Sequence, residues 1–182
     1  KTTGSRSHFF TKFNYNFFND SEKFSDLDLT LQHGSNDTYF KIHNIDTALV
    51  NKENTVLENR LAFNYQDDEI FFGANLSAFN DMTKKDNSKY EYILPVNLEK
   101  NLITSERSGR IDWSSRIKLR NYEVDKQTDF FVNDFKWNSN KWTNKFGLQN
   151  QFQGIVKTVN YEAENAPEFK TDKSTSEISG AL

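Results

Sequence analysis

Arg110-Ile111-Asp112-Trp113-Ser114-Ser115-Arg116-Ile117-Lys118-Leu119-Arg120 alternates between two kinds of side chain. Successive side chains of a strand point to opposite faces. Ile111, Trp113, Ile117 and Leu119 therefore share one side of an extended strand. Arg110, Asp112, Ser114, Arg116, Lys118 and Arg120 share the other. One face is greasy and one is wet.

The same pattern recurs in both directions. Residues 7–19 set Phe9, Phe13, Tyr15 and Phe17 against Lys12, Asn14 and Asn16. Residues 24–33 set Leu27, Leu29 and Leu31 against Asp26, Asp28, Thr30 and Gln32. Residues 55–65 (Leu57, Leu61, Phe63, Tyr65) and 69–79 (Ile70, Phe72, Ala74, Leu76, Ala78) follow, split by the turn signal Gln66-Asp67-Asp68. Further on come 128–138 (Phe131, Phe135, Trp137) and 142–161 (Phe146, Leu148, Phe152, Val156), with a last strand from about Ser174. Shorter strands are expected at 38–44 and at 90–94, the latter ending at Pro95, which lacks a ladder donor. Residues 45–54, 80–89 and 161–173 read as loops.

No stretch shows helical periodicity. The fold class is all-β: about ten antiparallel, up-and-down strands joined by short polar turns. Several strands alternate for ten residues or more, against about 5–6 in ordinary globular sheets and ~9–11 in a tilted membrane-spanning strand. Length thus favours part of a large transmembrane β-barrel over a soluble sandwich or jelly roll. Phe9, Tyr15, Phe17, Tyr65, Phe79, Tyr90, Tyr122 and Tyr161 lie near strand ends, where an interfacial girdle would place aromatics.

Composition agrees. The 182 residues carry 17 Phe, 7 Tyr and 3 Trp in an otherwise polar chain, and disordered chains lack aromatics. A net charge of -3 without a dense basic run gives no reason to expect nucleic acid as a partner. Cysteine is absent, so no disulfide framework braces the chain. No apolar run approaches a membrane helix, which says nothing against a barrel. The chain opens at Lys1 and stops at Ile178-Ser179-Gly180-Ala181-Leu182, which reads as another strand beginning. We expect residues 1–182 to be one partial barrel domain, truncated at both ends.

Catalytic chemistry is not legible. His8, His33 and His43 lack metal-ligand spacing, and no Gly-x-Ser-x-Gly or phosphate loop occurs. Asp26 and Asp28 share a strand face as paired carboxylates would, but within the polar half of an alternating pattern. No enzyme activity and no cofactor are expected. Arg110, Arg116, Lys118 and Arg120 line one polar face, where they could offer cations to a phosphorylated glycolipid.

The turn Ser35-Asn36-Asp37-Thr38-Tyr39-Phe40 follows an alternating strand. It resembles the Ser-Asp-x-x-Tyr-(Leu/Phe) element of the C-terminal barrel domain of the lipopolysaccharide-assembly family LptD, or organic solvent tolerance proteins. Ser5-Arg6-Ser7-His8-Phe9-Phe10 before it, Tyr92-Ile93-Leu94-Pro95 after it, and the Gly-initiated strand Gly109-Arg110-Ile111-Asp112-Trp113 resemble further family elements in the same order. Here Asn36 separates Ser35 from Asp37, where the family has Asp directly after Ser. The resemblance implies a non-enzymatic translocon in the outer membrane of a Gram-negative cell. It would pass lipopolysaccharide to the outer leaflet through a polar lumen and a lateral gate. The implied partners are lipopolysaccharide, a lipoprotein plug, and a periplasmic bridge protein reached through an N-terminal domain. Ser35, Asp37, Thr38, Tyr39, Phe40 and Pro95 would be structural: a tight turn of self-bonding Asn and Asp, after which Tyr39 and Phe40 restart a strand. Other outer-membrane barrels, a porin or a receptor, fit the pattern too. So does a soluble or surface β-sandwich binding glycans through Trp113, Trp137 and Trp142.

Overall fold

A computed structural model describes residues 6–169 and 174–182; Ser5 and residues 170–173 of the loop expected at 161–173 lie outside them. The fold is all-β, with 65% of the described residues in strands and 4% in helix. The strands are β1 (His8–Asn19), β2 (Phe24–Gly34), β3 (Val56–Gln66), β4 (Ile70–Asp81), β5 (Tyr90–Ser105), β6 (Gly109–Tyr122), β7 (Lys126–Asn138), β8 (Trp142–Thr143), β9 (Gln149–Asn150), β10 (Gln153–Glu164) and β11 (Thr175–Ala181). Nine of them form one antiparallel sheet in the order β1-β2-β3-β4-β5-β6-β7-β10-β11. β8 and β9 form a separate two-stranded hairpin between β7 and β10. The up-and-down order is the expected one. The sheet is open rather than closed into a barrel, with β1 and β11 at its two edges.

Turn chemistry sets the strand ends. Asp20 Oδ1 accepts from the backbone N–H of Glu22 (2.9 Å) and Lys23 (2.7 Å), closing β1 onto β2. Asp67 Oδ1 does the same for Glu69 (2.9 Å) and Ile70 (2.8 Å) between β3 and β4. These are side-chain mimics of a backbone turn. Gly109 opens β6 at φ +86, where a Cβ would collide with the backbone of Asn138.

Three expected elements differ. Residues 38–44 are not a strand: Thr38 leads into a single helical turn, α1 (Tyr39–Ile42), inside a long connection from β2 to β3. Burial overrides local β-propensity here, because Tyr39 and Phe40 pack with Val50 and Leu57 into the main buried apolar cluster, flanked by Phe10, Ile45, Leu49 and Met82. Phe40 is 0% exposed, and a Cβ on Gly34 would overlap its ring. Next, Pro95 does not end its strand. β5 runs through it to Ser105. The β4–β5 pairing skips from Ala74↔Val96 to Ser77↔Ile93, while the β5–β6 ladder stays continuous through Pro95↔Lys118. The missing donor faces β4, and β6 carries the strand across the gap. Finally, residues 142–161 are not one strand. Asn144 Oδ1 captures the N–H of Phe146 (2.9 Å) and Leu148 (3.0 Å), turning the chain back before β10 starts.

Phe40→Ala should therefore act locally. Truncating a buried Phe costs about 3–5 kcal/mol. Hydrogen exchange in residues 35–55 should accelerate while β6 and β7 keep their protection; uniform acceleration across the sheet, or none, would refute this cluster as a separate unit. The β3–β4 turn makes a second prediction. The backbone N–H groups of Glu69 and Ile70, with the Tyr65 hydroxyl, hold the Asp67 carboxyl below its ordinary 3.8. A lowered folded value means the turn is stabilised above that ordinary value and loses the contribution as pH falls through the lowered one. Carbon-13 titration should show Asp67 protonating below 3.8, and a midpoint at or above it would contradict the turn geometry.

Candidate functional site

The site-bearing surface is the sheet itself. Register aligns like with like across it. One row on the apolar face runs Tyr15↔Leu27↔Phe63↔Ala74↔Val96↔Ile117↔Phe131. The neighbouring row starts Phe13↔Leu29↔Leu61↔Leu76 and continues Leu94↔Leu119↔Asp129, the two parts sharing one register across the Pro95 gap. On the other face a row runs Asn16↔Asp26↔Asn64↔Gly73↔Asn97↔Arg116.

The two faces differ in polarity. Phe13 is 50% exposed, Leu61 and Leu76 44%, and Phe135 41%, so large apolar groups stand in the open. Among the described residues no second sheet covers them. Small side chains are buried on both faces, Ala62, Ser77, Thr128 and Ala163 on the polar one and Ser25 and Ser115 on the apolar one. One cavity of about 650 Å³ is bounded by Asp67, Phe71, Glu99, Ser114, Asp134 and Lys157 among others, contributed by β10 and by the strands from β3 to β7. These strands share one open trough at this end of the sheet.

The apolar band also crosses the strands obliquely. On β1 it is centred on Phe13, whose register row reaches β7 at Asp129. On β7 it runs from Phe131 to Trp137, centred on residue 134, five positions beyond Asp129 (134 − 129). Five residues are about 17 Å along a strand and six strand spacings about 29 Å across, a slope of roughly 30°.

All four expected cations sit on the wet face, but three are already matched. Arg110 Nε lies 2.7 Å from Asp112 Oδ1 on its own strand. Arg116 pairs with Asp134 on β7, which also holds Lys157 of β10 at 3.3 Å. Arg120 Nε lies 2.7 Å from Glu91 on β5 and its guanidinium covers the Tyr122 ring at 4.1 Å. Only Lys118 of the four makes no ion pair among the described residues; its ladder neighbours are Pro95 and Phe130. The strip is a cross-strand lattice of opposite charges rather than a cationic stripe. Pairs this exposed contribute about 0–1 kcal/mol each, so they can exchange partners with a passing polar ligand at small cost.

The motif residues do not come together. Ser35 Oγ donates to the Ser7 carbonyl (2.8 Å), tying the end of β2 to the start of β1. Asn36 Oδ1 accepts from Thr38 N–H (3.2 Å), the self-bonding expected of this turn. Asp37 is exposed, Tyr39 and Phe40 are core, and Pro95 sits in mid-strand on β5. Tyr39 also gathers His8 (Nδ1 to hydroxyl 3.3 Å) and stacks near His43. Asp26 and Asp28 share the wet face as expected and bond amides: Asn64 Nδ2 to Asp26 at 3.5 Å, Asn14 Nδ2 to Asp28 at 2.7 Å. The tryptophans do not form one platform. Trp113 stacks on Phe135 of the apolar face, the Trp137 indole donates to the Ser108 carbonyl at 2.7 Å, and Trp142 packs on Phe152 by the small hairpin. Among the described residues no three His, Asp or Glu side chains gather to hold a metal.

Sequence reading missed a half-buried aromatic patch. Phe130, Tyr161 and Phe169 cluster on the wet face, with ring centroids 5.8–6.4 Å apart. Its signal is a lapse in alternation: Phe130-Phe131-Val132 is apolar on both faces.

Comparison with family models, with curated proteins and with solved structures finds no match for this chain.

Proposed function

We propose that this chain is part of the wall of an outer-membrane β-barrel that moves lipopolysaccharide into the outer leaflet. The observation that carries the membrane part of this reading is the oblique apolar band. Strands of a membrane barrel tilt by about 35–45° from the barrel axis, so a flat lipid slab meets successive strands at shifted positions. A band sloping by roughly 30° across the register rows is what such a slab requires. A sandwich would instead bury this face under a second sheet. Strand lengths of 11–16 residues over β1–β7 reach or exceed the span needed.

In this reading the exposed apolar face meets acyl chains, and the wet face lines a passage. The chemistry is guidance, without bond making. Arg110, Arg116 and Arg120 exchange their carboxylate partners for phosphate and sugar oxygens, while Lys118 is free to do so from the start. The choice of lipopolysaccharide as cargo, of a lipoprotein plug and a periplasmic bridge as partners, and of the Gram-negative outer membrane as the location rests on the resemblance at residues 35–40, 92–95 and 109–113. Bacterial barrels close with an even number of strands, so nine antiparallel strands need an odd number more. Residues 1–182 are then one part of the domain.

Ile117→Arg tests the reading. It places a cation within the apolar band of β6, at a cost against insertion that reaches roughly 2–4 kcal/mol at the bilayer midplane. The variant should vanish from the outer-membrane fraction, while Asn97→Arg on the wet face should assemble. Recovery of Ile117→Arg in membranes at the parent level, or of the parent protein as a detergent-free soluble species, would defeat it.

A further inference from the structure

After β10 the chain folds back over the wet face. Asn165, at φ 53, turns it, and its Nδ2 donates to the Asp125 carbonyl (3.0 Å) between β6 and β7. Ala166 is fully buried. The Glu168 carboxylate accepts from the Tyr122 hydroxyl on β6. The Phe169 ring then lies 5.8 Å from Phe130 and 6.4 Å from Tyr161. Five residues thus cross from β10 over the end of β7 to β6.

The surface beneath is built to receive them. Phe130 and Tyr161 lie in one wet-face row with Lys118, where the same row on β1 and β2 carries Asn14 and Asp28. The next row, Arg120↔Thr128↔Ala163, is sealed: Thr128 is 4% exposed and Ala163 1%. Tyr122 is held from above by Arg120 (4.1 Å) and Lys126 (5.6 Å) over its ring. Alternation lapses on β7 and β10 where the returning chain lands, which gives the misplaced aromatics a purpose. The Tyr122 hydroxyl also keeps the Glu168 carboxyl below its ordinary range, so the acceptor stays charged.

We propose that residues 165–169 form an inward-folded strap, latched by Tyr122–Glu168 and by Phe169 on Phe130 and Tyr161, that narrows the passage along the wet face. The narrowing rests on the reading of that face as a lumen wall; the strap itself does not. Releasing the latch bares Thr128 and widens this end.

Thiol labelling of the full protein in membranes, with a charged, membrane-impermeant maleimide, tests both parts. Thr128→Cys should react far more slowly than Asn97→Cys, which lies exposed on the same face outside the strap. Adding Phe169→Ser should raise the Thr128→Cys rate about tenfold, equivalent to ~1.4 kcal/mol. Tyr122→Phe, which keeps the ring and removes the latch hydroxyl, should raise it less. Neither change should alter Asn97→Cys. An unchanged Thr128→Cys rate in both variants, or one already equal to that of Asn97→Cys, overturns the strap. If Asn97→Cys is closed to the charged reagent while release still speeds Thr128→Cys with an uncharged maleimide, the strap holds but its role in a passage falls with the lumen reading.

Discussion

Everything in this protein depends on cross-strand register. Side chains on a strand have a period of two, so a one-residue slip would turn every apolar side chain to the wet face. Instead eight ladders hold one alignment, and Phe meets Leu meets Leu from β1 to β4. The two register shifts, at Asn16/Phe18 and Asn101/Ile103, fall near strand ends, and the pairing gap at Pro95 leaves the register the same on both sides of it. With register fixed, polarity becomes a property of the whole sheet rather than of single strands.

A single-layer sheet with an open apolar face is not self-sufficient in water. Contiguous exposed apolar surface of this kind marks a surface that something else covers. The wet face has the opposite character. Its charges are paired across strands, Arg116 with Asp134 and Arg120 with Glu91. The proposed wall, with lipid on one side and hydrated polar cargo on the other, would reconcile the two. A sheet edge in hydrocarbon would leave backbone groups unpaired, so in the proposed barrel β1 and β11 would meet further strands.

The long strands were legible because alternation is written directly in residues such as Ile111, Trp113, Ile117 and Leu119 against Arg116, Lys118 and Arg120. What escaped was decided by contacts distant in sequence. Tyr39 and Phe40 have strand-like propensity, yet Gly34, Val50 and Leu57 supply a core that draws them into a helical turn. Pro95 looks like a stop, yet β6 holds its strand in place from the far side. The pairing of Arg116 and Arg120 was hidden for the same reason, since Asp134 and Glu91 lie on other strands. The strap was signalled only by aromatics on the wrong face, Phe130 and Tyr161, and that signal has no meaning until residue 169 is seen above them.

The central claim is that one face of this sheet meets lipid and the other water. Nitroxide scanning along β6 in the membrane-embedded protein addresses it directly, comparing collisions with oxygen and with a water-soluble nickel chelate. Labels at Ile111, Trp113, Ile117 and Leu119 should favour oxygen, and those at Arg110, Arg116 and Lys118 the chelate, alternating residue by residue. Equal access of the chelate to both sets, or loss of the two-residue period, would contradict the account.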